Sequence, residues 1–283
     1  MVLPTQLHPL FTMSSQVTLH CVRHAQGYHN LGAEFFNLMD PALTPLGEEQ
    51  CAKLRHDQFR DQSKIRLVAS SPLVRAIHTA CLVFQPTLET QILLAIPEAQ
   101  EIFDYGSDTG KEPEFLKETT DKHGWPVDLS LVGRGWNNKD LDGPNSPVSP
   151  ACAARARIVR RILREKAKEL SRDTDEEVHI ALVAHGSFMH YLTNEWENST
   201  RGCGTAWRNC EARAYNFMDF EDDGAWLIET AESRERRGVE GPPASLERQK
   251  ELYEEAMDGW VGQGLPDLRS VATASAKEPR SKL

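Results

Sequence analysis

Val17-Thr18-Leu19-His20-Cys21-Val22-Arg23-His24-Ala25-Gln26-Gly27-Tyr28-His29-Asn30 is the stretch around which the chain is organised. Its first half alternates and is β-branched, the pattern of a strand. Its second half is a polar turn carrying Gly27 and Asn30, where a strand ends. Arg23 and His24 therefore stand at the carboxyl end of a strand, the edge at which open α/β sheets place their ligands. A permanently charged guanidinium beside an imidazole suits an anionic phosphate and a nitrogen nucleophile.

Outward from this stretch, strands and helices alternate. Thr44-Pro45-Leu46-Gly47-Glu48 reads as a helix cap with proline at the first helical position, opening a helix through Cys51 and Leu54 towards Phe59. Ile65–Ala69 is a second strand, and Ser70-Ser71-Pro72 repeats the cap-and-proline signal before a helix through Leu73, Ile77 and Cys81. Gln91–Ile96 is a third strand leading into Glu98-Ala99-Gln100-Glu101. Residues from about 103 to 150 are irregular, with one short helix near Pro113–Thr120. So long a stretch inside a compact domain, carrying Trp125 and Trp136 for packing, predicts an active-site cover. Ala151–Lys168 is the clearest helix, with Ala154, Ile158 and Ile162 sharing one face and Val159 and Leu163 flanking it. Val178–Ala184 is the most apolar strand and runs into His185-Gly186-Ser187 and another helix; Ala212–Phe220 and Ala225–Glu229 form a hairpin.

This order predicts an α/β fold, a three-layer sandwich around a central, mostly parallel sheet, with the irregular insert over the active-site cleft. Residues 1–230 form the catalytic domain behind a loose lead-in over residues 1–15. Residues 231–283 form a charged C-terminal extension. Leu246, Tyr253, Ala256, Met257 and Trp260 mark one amphipathic helix there, and the end from about Ala272 is expected to be disordered.

At 283 residues and 40% hydrophobic, the chain can bury one sizeable core. Its 32 basic and 42 acidic residues leave a net charge of −10, which argues against nucleic acid or an anionic membrane as a partner. A small anionic substrate stays compatible, because the charge inside a cleft can oppose the global sign. Six cysteines without a CxxC pair read as reduced thiols, so a cytoplasmic location is expected. No apolar run is long enough to span a bilayer, and the N-terminus lacks a basic lead and carries Pro4 and Pro9, against a secretory signal. Oligomeric state has no signal in the sequence.

Four strand or helix junctions carry phosphate-compatible residues: Arg23-His24, Arg75, Glu101 and His185. Arg75 falls in the first turn of a helix, where the macrodipole disfavours a cation, so an anion bound at that end accounts for it better than a bare surface charge. His185-Gly186-Ser187 opens a helix, whose first N–H groups are free to meet an anion. Singly, each has an ordinary alternative: a surface arginine, a satisfied core histidine, a solvated loop glutamate. Their ordered recurrence makes coincidence a poor explanation.

In these residues the chain resembles the histidine phosphatase superfamily, in the branch that includes cofactor-dependent phosphoglycerate mutase. The family's strand-end Arg-His-Gly with a later Asn corresponds to Arg23-His24-Ala25 and Asn30, with alanine in place of glycine. Its Leu-Thr-x-x-Gly corresponds to Leu43-Thr44-Pro45-Leu46-Gly47, and its Ser-x-x-x-Arg-x-x-x-Thr-Ala to Ser71 through Arg75 to Thr79-Ala80. Glu101-Ile102 and His185-Gly186 complete the set, which spans roughly residues 17–220. The wording Arg-His-Ala-Gln-Gly-x-His-Asn is similar to the phosphoglycerate-mutase-like phosphatases of plants and fungi.

The resemblance implies a phosphomonoester hydrolase that needs no metal or other cofactor and acts on a small phosphorylated metabolite. It implies His24 as nucleophile, Arg23, Arg75 and His185 on the phosphoryl oxygens, Asn30 as a neutral donor beside them, and Gly186 at the helix start. Glu101 would be the acid and then the base, with Glu98 as the competing carboxylate that spacing alone leaves open. A mutase returning the phosphoryl group to an organic acceptor, and a non-catalytic phospho-ligand-binding protein, are the alternatives. His20, His78, His179 and His190 read as structural, His29 borders the pocket mouth, and Glu211 reads as structural first and a substrate contact second.

Overall fold

A computed structural model of the chain describes residues 17–200 and 204–272. The expectations for residues 1–15, for Cys203 and for the end of the chain beyond Ala272 lie outside the described residues.

The described strands are β1 (Val17–Arg23), β2 (Ile65–Ser70), β3 (Leu93–Ala95), β4 (Val127–Asp128), β5 (Val178–Ala184), β6 (Ala212–Phe217) and β7 (Leu227–Glu229). They form one sheet in the order β4-β3-β2-β5-β1-β6-β7. Pairings from β4 through β1 are parallel, while β6 runs antiparallel to β1 and β7 antiparallel to β6. The helices are α1 (Pro45–Gln58), α2 (Val74–Val83), α3 (Gln85–Leu88), α4 (Pro113–His123), α5 (Ser149–Ser171), α6 (Gly186–Thr193), α7 (Ala231–Arg236) and α8 (Leu246–Gly262).

The alternation of strand side chains divides the interior into two layers. Val17, Leu19 and Cys21 of β1 join Val178, Ile180, Leu182 and Ala184 of β5 in a core roofed by α5, α6 and α8. Val22, Ala181 and Val183 face the other way, onto Cys51 and Leu54 of α1 and Ala76, Ile77, Ala80 and Val83 of α2. A parallel sheet buried on both faces has to read as near-continuous apolar runs, and β5 does. This is the expected three-layer sandwich.

Several local expectations are corrected. The second helix begins at Val74, later than Ser71-Pro72 predicted. Ser71 Oγ instead accepts from Leu73 N, and the N–H of Val74 is taken at 2.9 Å by Asp40 Oδ1 from a distant loop. A cap supplied from so far away has no local signature. The face of α5 is also corrected: Ile158 is 44% exposed, while Cys152, Arg155, Ala156, Val159, Arg160, Leu163 and Arg164 are buried. The inward arginines bind main-chain carbonyls. Arg160, for example, donates to Tyr191 O and Leu192 O at the carboxyl end of α6, where a cation complements the dipole.

The residues after 230 carry two helices rather than one. Met257 and Trp260 of α8 lie in the main core, although Leu246 at its start is exposed. Trp260 donates from Nε1 to Ser199 O, and Ser149 N donates to Leu268 O at 2.7 Å. Burying a methionine-sized side chain contributes about 1.5–3 kcal/mol, so this segment stabilises the sheet domain. Among the described residues, no helix is long and apolar enough to cross a membrane, and the described cysteines are free.

Candidate active site

Parallel pairing of β1 with β5 sets Arg23 opposite Ala184, so the residues that follow, His24 and His185, emerge side by side. Their ring centroids are 5.1 Å apart. The main chain of His24 is fixed from both sides. Its N–H donates to Ala184 O at 2.9 Å, and its carbonyl accepts from Cys210 N and from Asn209 Nδ2. Alternation along β1 sends Arg23 towards α6 and His24 towards α2.

His24 Nδ1 lies 2.7 Å from Ala25 O. A carbonyl can only accept, so Nδ1 carries the proton and the lone pair stands on Nε2. Burial first, then Arg75, His185, His29 and Arg23 around it, hold the His24 pKa well below the ordinary imidazole value. His185 is lowered well below it too, by burial and then Arg75, and neither of its ring nitrogens has a partner among the described residues. The site is therefore two neutral, wholly buried imidazoles in a field of guanidinium charge.

Arg75 is 0% exposed. One of its amino groups donates to Ser107 O and the other to Asp108 Oδ1 at 3.1 Å, while its Nε has no partner among the described residues. Thr79 ties α2 to the loop after β1, donating to Arg75 O at 2.7 Å and accepting from Ala25 N at 3.0 Å. Arg23 donates to Trp207 O. A Cβ on Gly186 would stand 2.7 Å from Thr205 Cγ2 and 3.0 Å from Arg23 Nε, so only glycine lets that guanidinium lie against the start of α6. Asn30 Oδ1 accepts from Gly27 N and Asn209 Nδ2, both at 3.1 Å, which turns its Nδ2 the other way.

Glu101 corrects one expectation about anions. The start of α6 was expected to offer free amides to a substrate phosphate, but a protein carboxylate occupies it. Glu101 Oε1 accepts from Ile102 N and Phe188 N at 2.9 Å, and Oε2 from Ser187 N at 3.1 Å. The compensating anions at α2 are likewise internal: Asp40 takes the first amide and Asp108 pairs with Arg75. Helix N-termini draw negative charge, and here the protein supplies it. Glu98 is only partly buried, and its main-chain oxygen accepts from Arg155.

Sequence reasoning missed the residues that hold this arrangement from a distance. Arg155 of α5 donates to Glu98 O and Gln100 O at 2.9 Å, and Lys139 of the insert donates to Glu101 O at 2.5 Å. Lys139 and Arg155 thus bring the insert and α5 onto the turn that carries Glu101, while Asp108 of the insert reaches Arg75. Burial pushes the Asp108 carboxyl up and the Lys139 ammonium down from their usual ranges. The only sequence signal was the length of the insert.

The remaining histidines fall as follows. His20 Nε2 and His179 Nδ1 are 3.1 Å apart within the sheet, His78 stacks on Trp125, and buried His190 contacts Glu195 O and Thr205 Oγ1. Glu211 accepts from Arg208 N and Arg213 Nε, bracing the turn before β6. Among the described residues, no three His, Cys, Asp or Glu side chains gather as a metal site.

The chain is similar to known proteins over most of its length. The family model described as "Histidine phosphatase superfamily (branch 1)" matches residues 19–233. A phosphoglycerate mutase-like protein of Arabidopsis thaliana is 25% identical over 258 residues, covering 78% of this chain and 92% of that one. Sedoheptulose 1,7-bisphosphatase of Saccharomyces cerevisiae is 26% identical over 215 residues, covering 71% of this chain and 74% of that one. Among solved structures, mycobacterial glucosyl-3-phosphoglycerate phosphatase superposes with a TM-score of 0.46 at 19% identity, covering 75% of this chain and 96% of that one. On the family match over most of its length, the chain belongs to the histidine phosphatase superfamily, branch 1.

Proposed function

We propose that the protein is a metal-independent phosphomonoester hydrolase that works through a phosphohistidine on His24 and acts on a small phosphorylated metabolite. The observation that carries this is the His24 ring. Its Nδ1–H is spent on Ala25 O, so its Nε2 lone pair is free in a buried space shared with His185, Arg23 and Arg75.

In the first step Nε2 attacks phosphorus and the bond to the leaving oxygen breaks, splitting one difficult displacement into two. Arg23, Arg75 and His185 hold the peripheral oxygens, in a transition state that asks mainly for positioning and countercharge. Asn30 Nδ2 adds a neutral donor. Glu101 gives a proton to the leaving oxygen and then takes one from the attacking water. Of its two oxygens, Oε2 accepts one amide and Oε1 two, so Oε2 is the one with room for that proton. The second step returns His24 to its neutral form and releases inorganic phosphate.

Phosphatase activity in relatives such as the yeast sedoheptulose 1,7-bisphosphatase supports hydrolysis over transfer to a second hydroxyl. A phosphate-release screen over sugar phosphates, nucleotides, phosphoglycerates and prenyl phosphates, run in isotopically labelled water with metal chelated, tests the proposal. Label should appear in the released phosphate. Transfer to an organic acceptor without free phosphate would show a mutase instead.

A further inference from the structure

The site holds a third imidazole that the proposed reaction does not use. His29 is buried, with 6% of its surface exposed, and its ring centroid is 5.3 Å from that of His24. Its Nδ1 is enclosed and has no hydrogen-bond partner among the described residues. Leaving a buried polar group unpaired is costly, so a structural role leaves that nitrogen unexplained.

The ring is also held in place. His29 lies on the short turn Tyr28–Leu31, closed by Asn30 N to Gly27 O at 2.9 Å and by Gly27 N to Asn30 Oδ1 at 3.1 Å. A Cβ on Gly27 would stand 2.9 Å from both Cε1 and Nδ1 of His29. Glycine at that position gives the imidazole the space beside His24.

The charged and titratable groups around His29 come from three other elements: Arg23 and His24 at the end of β1, Arg75 on α2 and His185 at the start of α6. In the free protein burial first, then Arg75 and Arg23, pushes the His29 pKa down to about 2. A phosphate dianion seated between those arginines would reverse the local sign and favour the imidazolium.

We propose that His29 is a further ligand of the phosphoryl group, neutral in the empty site and charged when the anion is bound. This rests on the phosphate-pocket reading above and adds to it a donor that takes up a proton with the ligand. A hydrogen bond to a charged partner in such a site corresponds to about tenfold to a hundredfold in affinity.

Calorimetric titration of inorganic phosphate into wild type, His29→Leu, His29→Gln and Gly27→Ala, in two buffers of different ionisation enthalpy, reads both affinity and proton uptake. His29→Leu should bind phosphate about tenfold to a hundredfold more weakly. His29→Gln, which keeps a neutral donor, should recover part of the affinity but lose proton uptake relative to wild type. Gly27→Ala, which displaces the ring while leaving the imidazole in the chain, should weaken binding several-fold, and it decides the matter if His29→Leu does not fold. Wild-type affinity and proton uptake in folded His29 and Gly27 variants would overturn the inference alone. Wild-type protein that binds no phosphate would overturn the phosphatase reading with it.

Discussion

Replacing Glu101 by glutamine should injure the fold and the chemistry together, and the two effects can be worked separately. The carboxylate receives three amides: Ile102 and Phe188 on Oε1 and Ser187 on Oε2. Glutamine has a single acceptor oxygen. If that oxygen keeps Ile102 and Phe188, its NH2 group points at the N–H of Ser187, donor against donor, in a buried site. An unsatisfied buried donor costs about 1–3 kcal/mol, and the lost negative charge at the start of α6 about 0.3–1 kcal/mol more. The sum of about 1.3–4 kcal/mol corresponds to roughly 3–16 °C in Tm for a domain of this size. On the chemical side, loss of a positioned acid slows turnover by about 10²–10⁴ for alkyl phosphates and much less for an aryl phosphate whose leaving group departs unprotonated. Thermal melts and steady-state kinetics with the two ester types measure both. An unchanged Tm would refute the amide cradle, and an equal loss with both esters would refute Glu101 as acid. Glu98→Gln, with its partly exposed side chain, should move neither.

Other expectations follow from particular contacts. Leu163→Ala should destabilise by about 2–5 kcal/mol because Leu163 is wholly buried. Ile158→Ala, on the exposed face of the same helix, should stay within about 0.5 kcal/mol by chemical denaturation. His20, His24, His29, His185 and His190 all have pKa values lowered, first by burial, so the unfolded chain binds protons that the folded chain does not. Their contribution is fully present above the ordinary imidazole pKa of about 6.5 and is lost as pH falls below it, each with a slope of up to ~1.4 kcal/mol per pH unit. Denaturation midpoints that do not move between neutral pH and a unit below that pKa would contradict this. Arg155→Met should reproduce the leaving-group-dependent loss of Glu101→Gln, since it releases Glu98 O and Gln100 O from the turn carrying the acid; equal effects on both esters would make it merely structural.

The sheet was legible because its signals are local. Alternation in Val17–Val22, the apolar run Val178–Ala184 and the Thr44-Pro45 cap each fix an element without reference to distant residues. Once parallel pairing is inferred, Arg23-His24 and His185 must end at one edge, so the heart of the site was legible too. What could not be read depends on contacts far apart in sequence. Asp40 caps a helix from a remote loop, and Asp108 and Lys139 reach the site from an irregular insert. Arg155, Arg160 and Arg164 of α5 each bind a main-chain carbonyl in the interior. Hydrophobic periodicity counts arginine as outward, which centred the expected face on Ile158 rather than on Val159 and Leu163. At the two helix N-termini the sequence shows that an amide needs an anion, not that Glu101 or Asp40 supplies it.

The most direct test of the account is the site and isomer of the phosphoenzyme. Rapid quenching of the wild type with a turned-over, phosphorus-labelled substrate should trap acid-labile label on His24. Because Nδ1–H is held by Ala25 O, the label should be on Nε2, which phosphorus NMR of the denatured protein distinguishes from the Nδ1 isomer. His24→Ala should fold, bind phosphate and trap nothing. Label on Nδ1, on another residue, or undiminished turnover in folded His24→Ala would contradict the mechanism.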